Sequence, residues 1–145
     1  MAPLFFRILL ALVALYAFVR GSRDERDVGA ICVVGALITH FAWSPLHDRF
    51  TNVEIGVMAV DVGVLAGFLW VALRSDRFWP LWVAGLQLTT IFGHVMKALD
   101  SALFGRAYGA ALMFWSYPIV LILAIGTWRQ HRRSRNLAEG TGLAA

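Results

Sequence analysis

Five long apolar stretches alternate with short polar segments along the chain, and this alternation predicts its elements. The stretches cover residues 3–19, 28–43, 53–73, 78–99 and 108–128. A helix needs about 20 apolar residues to cross a bilayer, and roughly 17 is a practical minimum. The last three stretches are long enough, whereas the first two must borrow flanking residues or lie beside thinned lipid. None shows the period-2 alternation of a barrel strand, so the predicted fold class is all-α.

The composition also indicates that lipid surrounds the chain. Hydrophobic residues make up 59% of the 145-residue chain and charged residues 15%, whereas about a quarter of a soluble domain is charged. We therefore predict a polytopic integral membrane bundle of five transmembrane helices, forming one domain over residues 1–135. Residues 136–145 have no apolar period and are predicted to form a disordered tail. Cys32 is the only cysteine, which excludes a disulfide within the chain.

The basic residues between the stretches predict an orientation. With five spans, four basic residues fall on the side of the amino terminus and nine on the other side. The positive-inside rule then places the amino terminus outside and the carboxyl terminus in the cytoplasm, in a bacterial-type inner membrane. A cleaved signal peptide is the alternative for the first stretch, but no A-x-A-like site follows it. The four residues are Arg7, Arg49, Lys97 and Arg106; the nine are Arg20, Arg23, Arg26, Arg74, Arg77, Arg129, Arg132, Arg133 and Arg135.

The positive charge also indicates the partners. The net charge is +4, but the arginines form short loop clusters and a terminal run rather than a basic face, which argues against nucleic acid. We expect the lipid bilayer as solvent and anionic lipid headgroups against the basic carboxyl-terminal tail. Gly63 and Gly67 form a G-x-x-x-G motif, for which packing within the monomer is favoured over a homo-oligomer face.

Polar residues inside the apolar stretches are the candidate site. Gln87, Thr90, His94 and Lys97 recur at helical spacing and lie within an arc of roughly 80° on one face of the fourth helix. In the five-span topology, His40 and Asp61 reach the depth of His94 in the external leaflet. A charge in the bilayer is costly unless paired, so we predict that Asp61 pairs with His94 or Lys97. The candidate binding cluster is His40, Asp61, Gln87, Thr90, His94 and Lys97.

Three functions compete for this cluster. The favoured one is a satisfied polar core in a non-enzymatic accessory protein or subunit of a larger membrane complex, with no cofactor. The second is a component of proton- or ion-coupled transport, because carboxylate, histidine and lysine are the ingredients of a relay. The third is a redox protein in which His40 and His94 ligate a b-type haem, or a divalent metal together with Asp61. No nucleophile motif or H-E-x-x-H is present, so catalysis is not expected.

Overall fold

The computed structural model describes residues 2–42, 55–99 and 105–142. This part of the chain contains five α-helices and no strand, which confirms the all-α class and the number of helices. The helices are α1 (Ala2–Arg20), α2 (Arg23–Ala42), α3 (Ile55–Arg74), α4 (Trp79–Leu99) and α5 (Gly105–Gly142).

The helices form a closed ring. Each of α1 to α4 packs against the next helix in the chain, and α5 returns to pack against α1. α2 also contacts α5 across the bundle. Sequential neighbours with short connections give an up-and-down bundle, so the ends of the helices alternate between two opposite ends of the molecule.

The turn between α1 and α2 shows why the second helix begins where it does. Ser22 precedes the helix, and its backbone N–H and side-chain Oγ–H both donate to Glu25 Oε2, at 2.8 and 2.5 Å. This spacing is that of a helix-capping box, in which Ser and Glu satisfy the first-turn donors. The cap holds the charged residues Arg23–Asp27 in helical conformation, so α2 starts before residue 28, its start in the sequence prediction.

The hydrophobic core occupies one half of the bundle, the half that contains the α1–α2 and α3–α4 turns, hereafter the closed half. Its residues come from all five helices, so burial of this cluster joins the whole ring. A valine, leucine, isoleucine or phenylalanine side chain contributes about 1.5–3 kcal/mol when it is removed from water, and an alanine contributes less. The core residues are Ala17, Val28, Phe68, Val71, Val83, Ala84, Ile119 and Leu123.

The carboxyl-terminal segment differs from the prediction of disorder over residues 136–145. α5 continues as a helix to Gly142, and Arg135 and Glu139 pair along it at 3.4 Å. Because the preceding residues are already helical, the polar residues extend the helix without the free-energy cost of nucleating a new one. The remaining tail residues lie outside the described part, as do the predicted end of the second helix at 43 and start of the third at 53.

Within the described ranges, one helix is both long and apolar enough to count as a membrane span by length and composition. This helix is α3, with a mean hydropathy of 2.1 over its most apolar stretch. The multi-pass topology therefore remains a prediction at this point.

Candidate functional site

Asp61, Gln87 and His94 form a hydrogen-bonded network between α3 and α4. Gln87 Nε2 donates to Asp61 Oδ1 at 3.0 Å, and also lies 3.3 Å from the Asp61 carbonyl. His94 Nε2 lies 2.9 Å from Asp61 Oδ2. A ring N–H donates and a carboxylate oxygen accepts, so the contact is a hydrogen bond from the Nε2–H tautomer of His94 to Asp61. Both carboxylate oxygens thus have a partner on the neighbouring helix.

The polar face predicted for α4 is directed into the bundle. Gln87, Thr90, His94 and Lys97 are between 2% and 8% exposed. Thr90 Oγ1 lies 3.5 Å from the Leu86 carbonyl of its own helix. Lys97 lies one turn beyond His94, and of the two predicted partners it is His94 that pairs with Asp61.

His40 stands apart from this network in the described structure. It lies near the end of α2, is exposed, and its Nδ1 lies 3.2 Å from Arg7 Nη2 on α1. A guanidinium can only donate. Nδ1 therefore accepts this hydrogen bond, and in the neutral ring the hydrogen lies on Nε2.

A cavity of about 280 Å³ is bordered both by the Asp61 network and by the Arg7–His40 pair. It lies in the other half of the bundle, hereafter the open half, and is bordered by all five helices. Gln87, Thr90 and His94 line it as buried side chains, whereas Arg7 and His40 line it as exposed ones, and we call this exposed part its mouth. Most of the remaining wall is apolar, and on α2 it consists of the small residues Cys32, Gly35, Ala36 and Thr39.

Each of the two histidines of the haem hypothesis has one ring nitrogen engaged in a hydrogen bond. Haem-ligating histidines commonly bind iron through one ring nitrogen and use the other for a supporting hydrogen bond. Here His94 Nε2 is held by Asp61 and His40 Nδ1 by Arg7, and the haem hypothesis stays a prediction. Among the described residues, no three His, Cys, Asp or Glu side chains are grouped to hold a metal ion.

A second polar group, which the sequence prediction missed, lies at the end of the closed half. Glu25 is fully buried and its Oε1 pairs with Arg77 Nη1 at 2.6 Å. Arg77 Nη2 donates to Gln130 Oε1 at 2.5 Å. We call Glu25, Arg77 and Gln130 the clasp, because they join α2, the α3–α4 turn and α5. Ser75, in the α3–α4 turn, also donates from Oγ to Asp24 Oδ2 on α2 at 2.6 Å. This is a second hydrogen-bonded link between the turn and α2.

One signal for the clasp was present in the sequence. Ser22 and Glu25 have the spacing of a capping box directly before an apolar run, which predicts the start of a helix at that point. It does not predict the partner Arg77, which is distant in the chain and reaches Glu25 only through the packing of α2 against α3.

Comparisons with known proteins give no relative from which a role could be transferred. No protein-family model matches the chain, and no curated protein or solved structure matches it significantly. The function must therefore be argued from the chemistry and geometry of this molecule.

Proposed function

We propose that the protein is a five-span integral protein of a bacterial-type inner membrane, acting without catalysis as an accessory protein or subunit of a membrane complex. The observation that carries the proposal is the inverted distribution of polarity. Large apolar side chains are exposed on the outer face of every helix, including Leu12, Leu37, Leu69, Phe92 and Leu121. Buried positions meanwhile include charged and amide side chains. A soluble bundle has the opposite arrangement, with an apolar stripe inward and polar residues outward.

The third helix supports this interpretation most directly. Only 11% of the most apolar 18-residue stretch of α3 is buried in the bundle. The core helix of a soluble protein would bury most of such a stretch. Exposed apolar surface of this extent is typical of a face that contacts lipid or another protein.

The side chains at the end of the closed half suit a cytoplasmic membrane interface. The Arg74 guanidinium lies 4.5 Å from the Trp70 ring centroid, and that of Arg132 lies 5.0 Å from the Trp128 ring centroid. Tryptophan is enriched at the level of lipid headgroups, and arginine on the cytoplasmic side. The exposed arginines at the end of α5 would then lie against anionic headgroups, each contributing about 1 kcal/mol.

The Asp61 network fits a structural role, in which its hydrogen bonds hold α3 and α4 together. All three of its members have partners across the α3–α4 interface, and such bonds fix the register of two apolar helices. A protein of this kind would act through association. Gly63 on α3 has no atom near the position of a Cβ, which leaves room for a helix of a partner or of a second copy.

Two measurements test this proposal. The protein should stay in the membrane after alkaline extraction, with a carboxyl-terminal tag accessible only from the cytoplasmic side. Native electrophoresis after mild detergent extraction should show a species larger than the protomer, and Gly63→Leu should reduce it while Gly67→Leu, within the bundle, should impair folding. Release at alkaline pH or an external tag would refute the topology; a monomer without a companion would refute the accessory role.

Ion-coupled transport is the second candidate. One observation favours it: the Asp61 side chain is 20% exposed and borders the cavity. Against it, the tightly packed core lies between the cavity and the end of the closed half, and alternating access needs a route on both sides. Proteoliposomes with Asp61→Asn that conduct protons as the unmodified protein does would remove this candidate.

A further inference from the structure

Arg7 lies on the inward face of α1, whose other charged residue, Arg20, is at the far end of the helix. It precedes Leu10, Ala14 and Ala17 at spacings of three, seven and ten residues, and all three of these side chains are buried. Residues at such spacings share one face of a helix. The face that carries Arg7 is therefore the face that packs into the bundle, and Arg7 borders the cavity.

The guanidinium of Arg7 has no carboxylate partner within the described structure. Its hydrogen bond is to the neutral acceptor His40 Nδ1. Asp61 is the only carboxylate among the described residues that border the cavity, and its oxygens are held by Gln87 and His94. Arginine is always charged in proteins, and an ionisable group at membrane depth usually marks a functional site.

The donors at the mouth of the cavity suit an anion. Arg7 presents a planar fork of N–H groups, the geometry that binds carboxylate or phosphate through two hydrogen bonds. Because His40 Nδ1 accepts from Arg7, the Nε2–H of the neutral ring is left as a further donor beside the fork. Both side chains border the cavity and are exposed.

The adjacent walls suit an apolar body. Phe6 and Leu10 continue from Arg7 along α1, and Phe6 stacks edge-on against Tyr117 of α5 at 5.2 Å. Phe68 and Val120 close the cavity toward the core. Ligand pockets commonly measure about 300–1,000 Å³, so a cavity of about 280 Å³ suits a small ligand or part of a longer chain.

We propose that the cavity binds an amphipathic organic anion. Its carboxylate or phosphate binds Arg7 and His40, and its apolar body lies between Phe6, Leu10 and Phe68. A free fatty carboxylate and an anionic lipid share this chemistry. The site rests on the proposed membrane location but not on the accessory role, because it is argued from the cavity and from the charge of Arg7.

Cys32 provides a reporter for this site. It is the only cysteine of the chain and borders the cavity, so a bound ligand slows its reaction with N-ethylmaleimide, which is measured at alkaline pH because the thiolate is the reacting form. The labelling rate is measured on the full-length protein in nanodiscs of phosphatidylcholine, against increasing decanoate. Decanol, which has the same chain length and no charge, is the matched control probe.

We expect decanoate to protect Cys32 at concentrations at least about tenfold lower than decanol requires, because hydrogen bonds to a charged group are worth at least that factor. Arg7→Gln should raise the required concentration of decanoate about tenfold or more. Arg20→Gln, which removes an exposed arginine from the other end of the same helix, should leave it unchanged. Arg7→Lys keeps the charge without the fork, so it should fold and protect to an intermediate degree.

Nanodiscs that contain phosphatidylglycerol separate the two sources of the anion. If lipid fills the site, Cys32 of the unmodified protein is already protected there and decanoate adds little. If the ligand is a free acid, decanoate protects equally in both lipid compositions. Equal protection by decanoate and decanol would overturn the proposal, as would unchanged protection in Arg7→Gln or, should that variant not fold, in Arg7→Lys.

Discussion

The closed and open halves of the bundle are built from the same five helices but use them differently. In the closed half, side chains such as Phe68 and Leu123 fill the centre, and the clasp joins three segments at the end. In the open half, the inward positions of α2 are Gly35 and Ala36, and those of α4 are polar. The centre there is a cavity rather than a packed core.

This contrast indicates that the closed half provides stability, whereas the open half contains the candidate site. Cavities cost packing contacts, and surrounding structure relaxes only partly to recover them. A protein can keep such a cavity when the rest of its fold is held firmly. The clasp and the core of the closed half provide that support, and the largest mutational effects on the free energy of unfolding should therefore lie there.

The largest loss is expected from Arg77→Ala. The substitution leaves the carboxylate of Glu25 buried without a charged partner, which costs about 3–5 kcal/mol for a buried pair. Arg77 is 32% exposed, which places the value near the lower limit. Equilibrium unfolding in mixed micelles containing dodecyl sulfate measures it.

The control is Arg23→Ala. Arg23 pairs with Asp27 at 3.9 Å, with side chains 71% and 36% exposed, and such pairs contribute roughly 0–1 kcal/mol. Equal losses in the two variants would mean that the clasp contributes no more than an exposed ion pair.

Leu123→Ala should come next. Leu123 is fully buried in the core, and truncation of a buried leucine costs roughly 2–5 kcal/mol. Leu121→Ala, two residues away on the same helix and 60% exposed, should change the free energy of unfolding by less than about 0.5 kcal/mol. The same unfolding titration compares them, and a similar loss in both would contradict the position of the core.

Gly21→Ala tests the α1–α2 turn of the closed half. An added Cβ would overlap the Ala17 carbonyl oxygen and the Cβ of Glu25. That carbonyl accepts from the Gly21 backbone N–H at 2.8 Å, so relief of the overlap displaces the cap. We expect a loss of about 1–3 kcal/mol, as for an overpacked site.

A matched glycine distinguishes this overlap from a general effect of alanine. Gly85 on α4 has nothing within 4 Å of the position of a Cβ. Gly85→Ala should therefore be neutral, or stabilise by up to about 1 kcal/mol through helix propensity. A destabilised Gly85→Ala would instead reveal a surface that another helix covers.

Asp61→Asn should have the smallest effect of the series. The amide keeps an acceptor for one neighbour, and interhelical hydrogen bonds in membranes average about 0.6 kcal/mol, with a maximum near 1.7. Thr89→Ala on the exposed face of α4 is the control, since its hydroxyl bonds only within its own helix. A loss of unfolding free energy as large as that of Arg77→Ala would mean that the open half contributes as much to stability as the clasp does.

The sequence was most informative where a regular period governs the geometry. The spacing of Gln87, Thr90, His94 and Lys97 predicted a shared face, and the structure buries all four. The comparison of depths predicted that Asp61 meets His94 or Lys97, and the contact forms with His94. The first prediction depends only on the rotation per residue of a helix, and the second also on the predicted order and direction of the five helices.

Contacts between helices distant in the chain were not predictable in the same way. His40 was grouped with Asp61 by depth, yet its described partner is Arg7, because rotation of α2 about its axis decides which neighbour it meets. Arg77 was counted only as a cytoplasmic charge, although it pairs with buried Glu25. The depth of a side chain along the bundle is one of its three coordinates, and a contact between two side chains depends on all three.

The five helices and the polar face of α4 could be predicted from the amino-acid sequence, because apolar length and the 3.6-residue period are local properties of the chain. The closure of the ring by α5 on α1, the core in one half and the cavity beside Arg7 became visible in the folded molecule. These depend on how rotated and tilted helices pack, which the free energy of many weak contacts among distant residues decides.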